Sequence, residues 1–195
     1  RAFQVATFVI CMLVLTCDGI DQQLLGIIAP RVIADFAVAK STFGIAMSAS
    51  LVGFGLGAWS GGWLGDAVGR RWSLAIAAAV FALATVGASW SEGNNLVGFS
   101  IHLFSHFSIG LNAPQGVWEL AAWRVVGGLG FGSAYANAMA TTGEWLPGRW
   151  RSVAVTTLSV GTPAGGTVVG WIAPDLVASY GWRGAFVALG LATAL

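Results

Sequence analysis

Long apolar stretches alternate with short polar links along the chain, and this alternation predicts several membrane-spanning helices. A helix that crosses a bilayer needs about 20 consecutive, mostly apolar residues. The stretches of suitable length lie at about residues 3–28, 41–64, 72–90, 118–140 and 152–172, and a shorter one covers 184–195. We therefore predict an all-α, multi-pass membrane protein whose sixth helix begins near Gly184 and is truncated by the end of the sequence.

The composition supports this prediction and excludes several other classes of protein. Hydrophobic residues make up 56% of the 195 residues, charged residues make up 9%, and the mean hydropathy is +0.78. Soluble domains carry about 25% charged residues, so an ordinary cytosolic enzyme is excluded. A nucleic-acid partner is excluded because no basic stripe is present. The expected surroundings are the lipid bilayer of the cell membrane.

Basic residues in the links predict the orientation of the helices. Lys and Arg accumulate in the short loops on the cytoplasmic side. One end of the predicted bundle receives five basic residues and the other receives three, which favours a cytoplasmic N-terminus. The larger group is Arg1, Arg70, Arg71, Arg149 and Arg151, and the smaller group is Arg31, Lys40 and Arg183.

The link of residues 93–117 is long and apolar, but polar residues and Pro114 interrupt any spanning helix in it. We expect an extended outer loop or, over residues 96–107, a short helix lying at the outer membrane interface. If this link crossed the membrane, Arg149 and Arg151 would lie outside, against the charge bias.

Two acids interrupt the first apolar stretch, in the run Asp18-Gly19-Ile20-Asp21. Ionisable groups in hydrocarbon are costly and usually functional, and a spacing of three places both carboxylates on nearly the same helix face. Two such carboxylates titrate as a coupled pair, which suits the uptake and release of protons. The alternative is that both acids are solvated at the outer end of the helix.

Arg124 lies near the start of the fourth apolar stretch, ahead of several glycines. Its guanidinium stays charged and has a planar fork that matches a carboxylate. Inside a bundle it requires an acidic partner or an anionic substrate. The alternative is an arginine whose charged end reaches the outer interface, and the glycines alone indicate only close helix packing.

A third charged feature occupies the link between the second and third stretches. Asp66 and Arg70 are four residues apart and pair if the turn is helical, while Gly65 and Gly69 permit a tight turn. Glu144, at the inner end of the fourth stretch, is placed to accept a hydrogen bond from Arg70 or Arg71. Such a cluster can stabilise one gating state and release it when helices shift. A solvated loop with cytoplasmic arginines is the alternative.

These features resemble signatures of the major facilitator superfamily. The link is similar to the superfamily's G-x-L-x-D-x-x-G-R-R signature, although Ala67 stands where a basic residue is common. The matching residues are Gly62, Leu64, Asp66, Gly69, Arg70 and Arg71. The Arg124 stretch resembles the signature L-x-x-x-R-x-x-x-G-x-G. The D-G-x-D run, with Ala29-Pro30 after it, resembles the aromatic acid:proton symporters.

The resemblance implies a fold and a mechanism. The fold is the N-terminal six-helix half of a twelve-helix transporter, built as a 3+3 inverted repeat, with the C-terminal half missing from this sequence. In that fold the first and fourth helices both face the central cavity. The mechanism is proton-coupled symport of a small organic anion, with the proton gradient as the driving force and no cofactor or metal. Arg124 and Asp21 then bind the substrate, Asp18 and Asp21 carry protons, and the cluster of Gly62, Asp66, Gly69, Arg70, Arg71 and Glu144 gates the inner side.

Other functions remain open at this point. Residues 161–166 partly resemble an antiporter motif, so a porter of sugars, drugs or other metabolites is one alternative. A fragment that does not transport alone is another. A membrane-embedded enzyme is disfavoured, because His102 and His106 are the only histidines and two ligands do not complete a metal site.

Overall fold

The computed structural model of the protein describes residues 2–92, 96–102, 108–145 and 148–194. Its described part is largely helical, with one short hairpin between the third and fourth helices. The elements in chain order are α1 (Ala2–Asp35), α2 (Lys40–Val68), α3 (Arg70–Ala88), β1 (Leu96–His102), β2 (Ser108–Pro114), α4 (Gln115–Trp145), α5 (Gly148–Ser159) and α6 (Gly161–Ala194).

Helices α1, α2 and α4 contain the predicted stretches 3–28, 41–64 and 118–140 and extend beyond them. Helix α3 begins and ends two residues earlier than predicted, and the fifth stretch, 152–172, crosses the junction of α5 and α6. Helix α1 continues through Pro30 to Asp35, seven residues past the predicted end at 28, because a helix can project out of the bilayer with polar residues in its last turns. Among the described residues, four stretches qualify as membrane spans by length and composition: Val5–Asp35, Lys40–Val68, Arg70–Ala88 and Gly148–Thr193. The last of these contains a break at Gly181, whose φ of 69° is not helical. It therefore holds the fifth predicted span and the start of the sixth.

Of the two alternatives predicted for the link between α3 and α4, the interfacial helix over residues 96–107 is wrong where the chain is described, because Leu96–His102 forms a strand. Strands β1 and β2 pair antiparallel, with Leu96 opposite Pro114 and His102 opposite Ser108. β-Branched residues favour extended backbone, and this link carries Val97, Ile101 and Ile109. Its apolar content therefore reflects strand propensity. Residues 93–95 and 103–107, including His106, lie outside the described residues.

Glycines bring helices into backbone contact, most extensively in two pairs, α2 with α4 and α1 with α6. A Cβ atom at any of these glycines would overlap the backbone of the facing helix, so a larger residue would push the helices apart. The glycines of the first pair are Gly53, Gly57, Gly128 and Gly132, and those of the second are Gly19 and Gly165. In an inverted repeat, spans one, two and three are equivalent to spans four, five and six. The contact of α2 with α4 is then equivalent to the contact of α1 with the first part of α6, which belongs to the fifth span.

Two apolar clusters fill the bundle and leave a gap between them. One includes Leu24 and Ile28 of α1 with Leu120 of α4. The other includes Leu15 of α1 with Phe131 of α4. Residues 18–21 of α1 and residue 124 of α4 lie between these clusters along their helices. The fold therefore places Asp18, Asp21 and Arg124 within their helices, with apolar packing on both sides of them.

Candidate functional site

A buried ion pair joins the middle of α1 to α4. Arg124 donates a hydrogen bond from Nη1 to Oδ2 of Asp21. Asp21 is 1% exposed and Arg124 is 6% exposed. Because a buried charge is costly without a partner, this pairing explains how both residues are tolerated. It is also incompatible with the alternatives in which these side chains lie solvated at the outer interface.

Ser50 of α2 contacts the other edge of the Arg124 guanidinium. Its Oγ lies 3.4 Å from Nε and 3.3 Å from Nη2 of Arg124. The same hydroxyl lies 3.2 Å from the Met47 carbonyl oxygen, to which it donates. Gly128 of α4 makes this contact possible, because a Cβ there would overlap the carbonyl of Ser50. Ser50 was not predicted as a site residue, because the glycines of α2 and α4 indicate only that the two helices pack closely.

Asp18 is buried beside this pair but has a different partner. It is 2% exposed, and its Oδ2 accepts a hydrogen bond of 2.7 Å from Nε2 of Gln22. Among the described residues, Oδ1 of Asp21 is buried without a hydrogen-bond partner. The two acids predicted on one face are therefore in distinct environments. Asp21 is paired with a cation, and Asp18 is bound only by a neutral amide.

These residues line a cavity of about 640 Å³. Four aromatic side chains form part of its wall, alongside aliphatic and small residues: Phe54, Phe81, Phe131 and Tyr135. Phe54 stacks on Phe131 with ring centroids 5.4 Å apart, and Tyr135 packs edge-on against both at 5.8 Å. Cavities of roughly 300–1,000 Å³ with a few polar groups in an apolar wall are typical of small-molecule sites.

At the junction of α2 and α3, Arg70 makes the predicted contacts with Asp66 and Glu144. Nη2 of Arg70 lies 2.8 Å from Asp66 and 3.1 Å from Glu144. The Asp66 and Glu144 side chains are 71% and 50% exposed, so each pair contributes little free energy by itself. In the described part of the chain, Arg71 forms no ion pair with either acid, and it lies exposed at the start of α3.

The three glycines of this link have different surroundings. Gly69 separates α2 from α3 with a φ of 90°, a conformation that favours glycine. Gly65 leaves room for Arg70 and for Asn137, both of which a Cβ would contact. A Cβ at Gly62 would meet no described atom within 4 Å, so packing gives no reason for that glycine.

Asn137 of α4 was not predicted as a site residue, yet it connects three helices beneath Arg70. Its Nδ2 lies 2.9 Å from the Gly61 carbonyl oxygen of α2 and 2.9 Å from Oγ of Ser73 of α3. Its Oδ1 accepts a hydrogen bond of 3.5 Å from Nη1 of Arg70. A single asparagine in an apolar helix gave no signal of this role.

A second set of polar contacts lies at the opposite end of the bundle. Nε1 of Trp182 donates to Oδ2 of Asp35 at 2.5 Å, and Nη1 of Arg183 lies 3.9 Å from the same oxygen. Arg183 also donates to the Ser91 carbonyl oxygen at 3.2 Å and lies over the Trp182 ring. These contacts connect the end of α1 to the segment that follows the break at Gly181.

Comparison with known proteins identifies the family. The sequence model of the Major Facilitator Superfamily matches residues 11–195. The chain is 31% identical over 97% of its length to the 4-hydroxybenzoate transporter PcaK of Pseudomonas aeruginosa, and 29% identical over 97% to a gallate transporter of Pseudomonas putida. It covers 37% of each relative.

A solved structure supports the same fold. The proton:xylose symporter XylE of E. coli aligns over 99% of this chain and 44% of its own, with a TM-score of 0.77 and 21% identity. The aligned part corresponds to one half of that fold, as predicted. The chain is therefore a membrane protein that belongs to the Major Facilitator Superfamily.

Proposed function

We propose that the protein is a secondary active transporter of the cell membrane that couples the movement of a small aromatic or other organic carboxylate to protons. The observation that carries this proposal is the buried Asp21–Arg124 pair beside a cavity lined in part by four aromatic side chains. The names of the relatives support it, because gallate and 4-hydroxybenzoate are both aromatic carboxylates. A second six-helix half would complete the cavity, since the chain covers 44% of the xylose symporter.

Charge balance supplies the coupling. The Asp21–Arg124 pair is neutral as a unit, and a substrate carboxylate bound to Arg124 would place two negative charges around one positive charge. A solvent proton, delivered as hydronium, forms an O–H bond to a carboxylate oxygen of Asp21 as one O–H bond of the hydronium breaks, and neutral water is left; this restores neutrality. Binding of the anion and of the proton therefore favour each other, which is the thermodynamic requirement for symport.

Asp18 provides a second position for a proton. It lines the same cavity as Asp21 and is bound by Gln22 and not by a cation. A carboxylate in an apolar environment without a cationic partner is costly when charged. Protonation of Asp18 therefore breaks no direct ion pair, whereas protonation of Asp21 weakens its pair with Arg124. Asp18 assists Asp21 in proton transfer.

The cluster of Asp66, Arg70 and Glu144 would act at the cytoplasmic side. This assignment follows from the basic residues near that end of the bundle, which favour a cytoplasmic N-terminus. The contacts of Arg70 join α2, α3 and α4 there. Breaking them would favour a shift of these helices between gating states.

Uptake measurements test the proposal. Cells expressing the protein from its complete reading frame are given labelled 4-hydroxybenzoate with a proton gradient or after its collapse. We expect gradient-driven accumulation by the wild type, its loss in Asp21→Asn, and its retention in Asp175→Asn, an exposed acid of α6 outside the cavity lining. Unchanged accumulation by Asp21→Asn would contradict the role of Asp21. Competition by sugars or drugs, and none by benzoates, would contradict the substrate class.

A further inference from the structure

The edge of Arg124 that faces away from Asp21 is held by a weak partner. A guanidinium binds a carboxylate best through two parallel N–H groups. Nη1 of Arg124 is engaged by Asp21, whereas Nε and Nη2 both point to the single oxygen of Ser50. These two donors form an edge of the fork suited to a carboxylate, and a neutral hydroxyl occupies it.

The distances show that this contact is weaker than the one that could replace it. Ser50 Oγ lies at 3.4 and 3.3 Å from the two nitrogens, whereas hydrogen bonds from a guanidinium to a carboxylate are about 2.7–2.9 Å long and roughly twice as strong as neutral ones. Exchange of the hydroxyl for a carboxylate would replace one shared neutral acceptor with two charged acceptors.

When Ser50 leaves this edge, its own hydroxyl group still has an acceptor for its proton. Its hydroxyl already donates to the Met47 carbonyl oxygen at 3.2 Å, within its own helix. Ser50 also lines the cavity together with Arg124, so a ligand in the cavity can reach the same edge. The α2 backbone cannot approach further, because it already packs against Gly128 of α4.

We infer that Ser50 is a positioning residue that holds the Nε/Nη2 edge of Arg124 in the empty site and yields it to the substrate carboxylate. This inference rests on the proposed function and assigns the carboxylate to one edge of one residue. It also predicts selectivity, because a ligand must present two coplanar oxygens to gain from the exchange. A benzoate is therefore preferred over the benzamide with the same ring.

Substitution of Ser50 separates this role from others. Ser50→Asp places a permanent carboxylate at the Arg124 edge and should weaken benzoate binding by about tenfold or more. Ser50→Ala removes the hydroxyl and should bind benzoate at least as tightly as the wild type. The matched control is Ser48, which lines the same cavity and donates to Ile45 but is not a partner of Arg124. Ser48→Asp should therefore weaken binding much less than Ser50→Asp.

The measurement is the Kd of benzoate and of benzamide for purified protein from the complete reading frame, after each variant is shown to be folded. Equal Kd values for Ser50→Asp and the wild type would overturn the inference, and so would equal losses in Ser48→Asp and Ser50→Asp. If Ser50→Asp does not fold, Ser50→Ala decides, because weaker binding would mean that Ser50 itself contacts the substrate. Absence of benzoate binding in the wild type, or binding that survives Arg124→Gln, would contradict the proposed function instead.

Discussion

The ion pair between α1 and α4 makes a quantitative prediction about stability. Arg124→Gln removes the cation and leaves the Asp21 carboxylate at 1% exposure, with one oxygen that already has no hydrogen-bond partner among the described residues. Breaking a buried pair by removing one partner costs about 3–5 kcal/mol, because the remaining charge is uncompensated. Removing both charges costs much less. We therefore expect Arg124→Gln to be strongly destabilised and Asp21→Asn/Arg124→Gln to recover most of the loss.

A double-mutant cycle measures this effect. Unfolding of four proteins is followed by tryptophan fluorescence in the same detergent. They are the wild type, Asp21→Asn, Arg124→Gln and the double variant. The coupling free energy from the cycle should be about 3 kcal/mol or more. Transport should be absent in all three variants, so recovery of stability without recovery of uptake separates folding from function. A coupling free energy below about 1 kcal/mol, the range of exposed ion pairs, would refute the assignment of a buried pair.

Two further predictions concern the glycine contacts and the cluster around Arg70. Gly128→Ala should destabilise the protein by about 1–3 kcal/mol and lower its melting temperature, because a Cβ would overlap the α2 backbone. Gly55→Ala should not lower the melting temperature, because a Cβ there meets open space. Equal melting temperatures of these two variants would contradict the close contact of α2 with α4. Asp66→Asn should change stability by less than about 1 kcal/mol, because the pair with Arg70 is exposed, but it should reduce uptake. A normal uptake rate would show that this pair has no part in gating.

Sequence alone predicted the helices and the charged residues better than the contacts between them. Apolar length identified the spans, and the spacing of Asp66 and Arg70 predicted their pairing. The roles of Ser50 and Asn137 were not predictable, because each lies on a different helix from its arginine and no local spacing indicates the contact. The hairpin was also missed, since an apolar segment of that length suits an interfacial helix as well as two short strands.

The inverted repeat provides a physical reason why the two ends of the bundle carry similar chemistry. Gly69 and Gly181 are the glycines with positive φ among the described residues, and each directly precedes a segment that contributes an arginine. Arg70 contacts Glu144 near the end of α4, and Arg183 lies 3.9 Å from Asp35 at the end of α1. Since α1 and α4 are equivalent positions in a 3+3 repeat, these contacts are related by the same exchange that relates the two glycine-packed helix pairs. The same exchange maps α1 onto α4 and α4 onto α1, and the Asp21–Arg124 pair forms between these two equivalent helices.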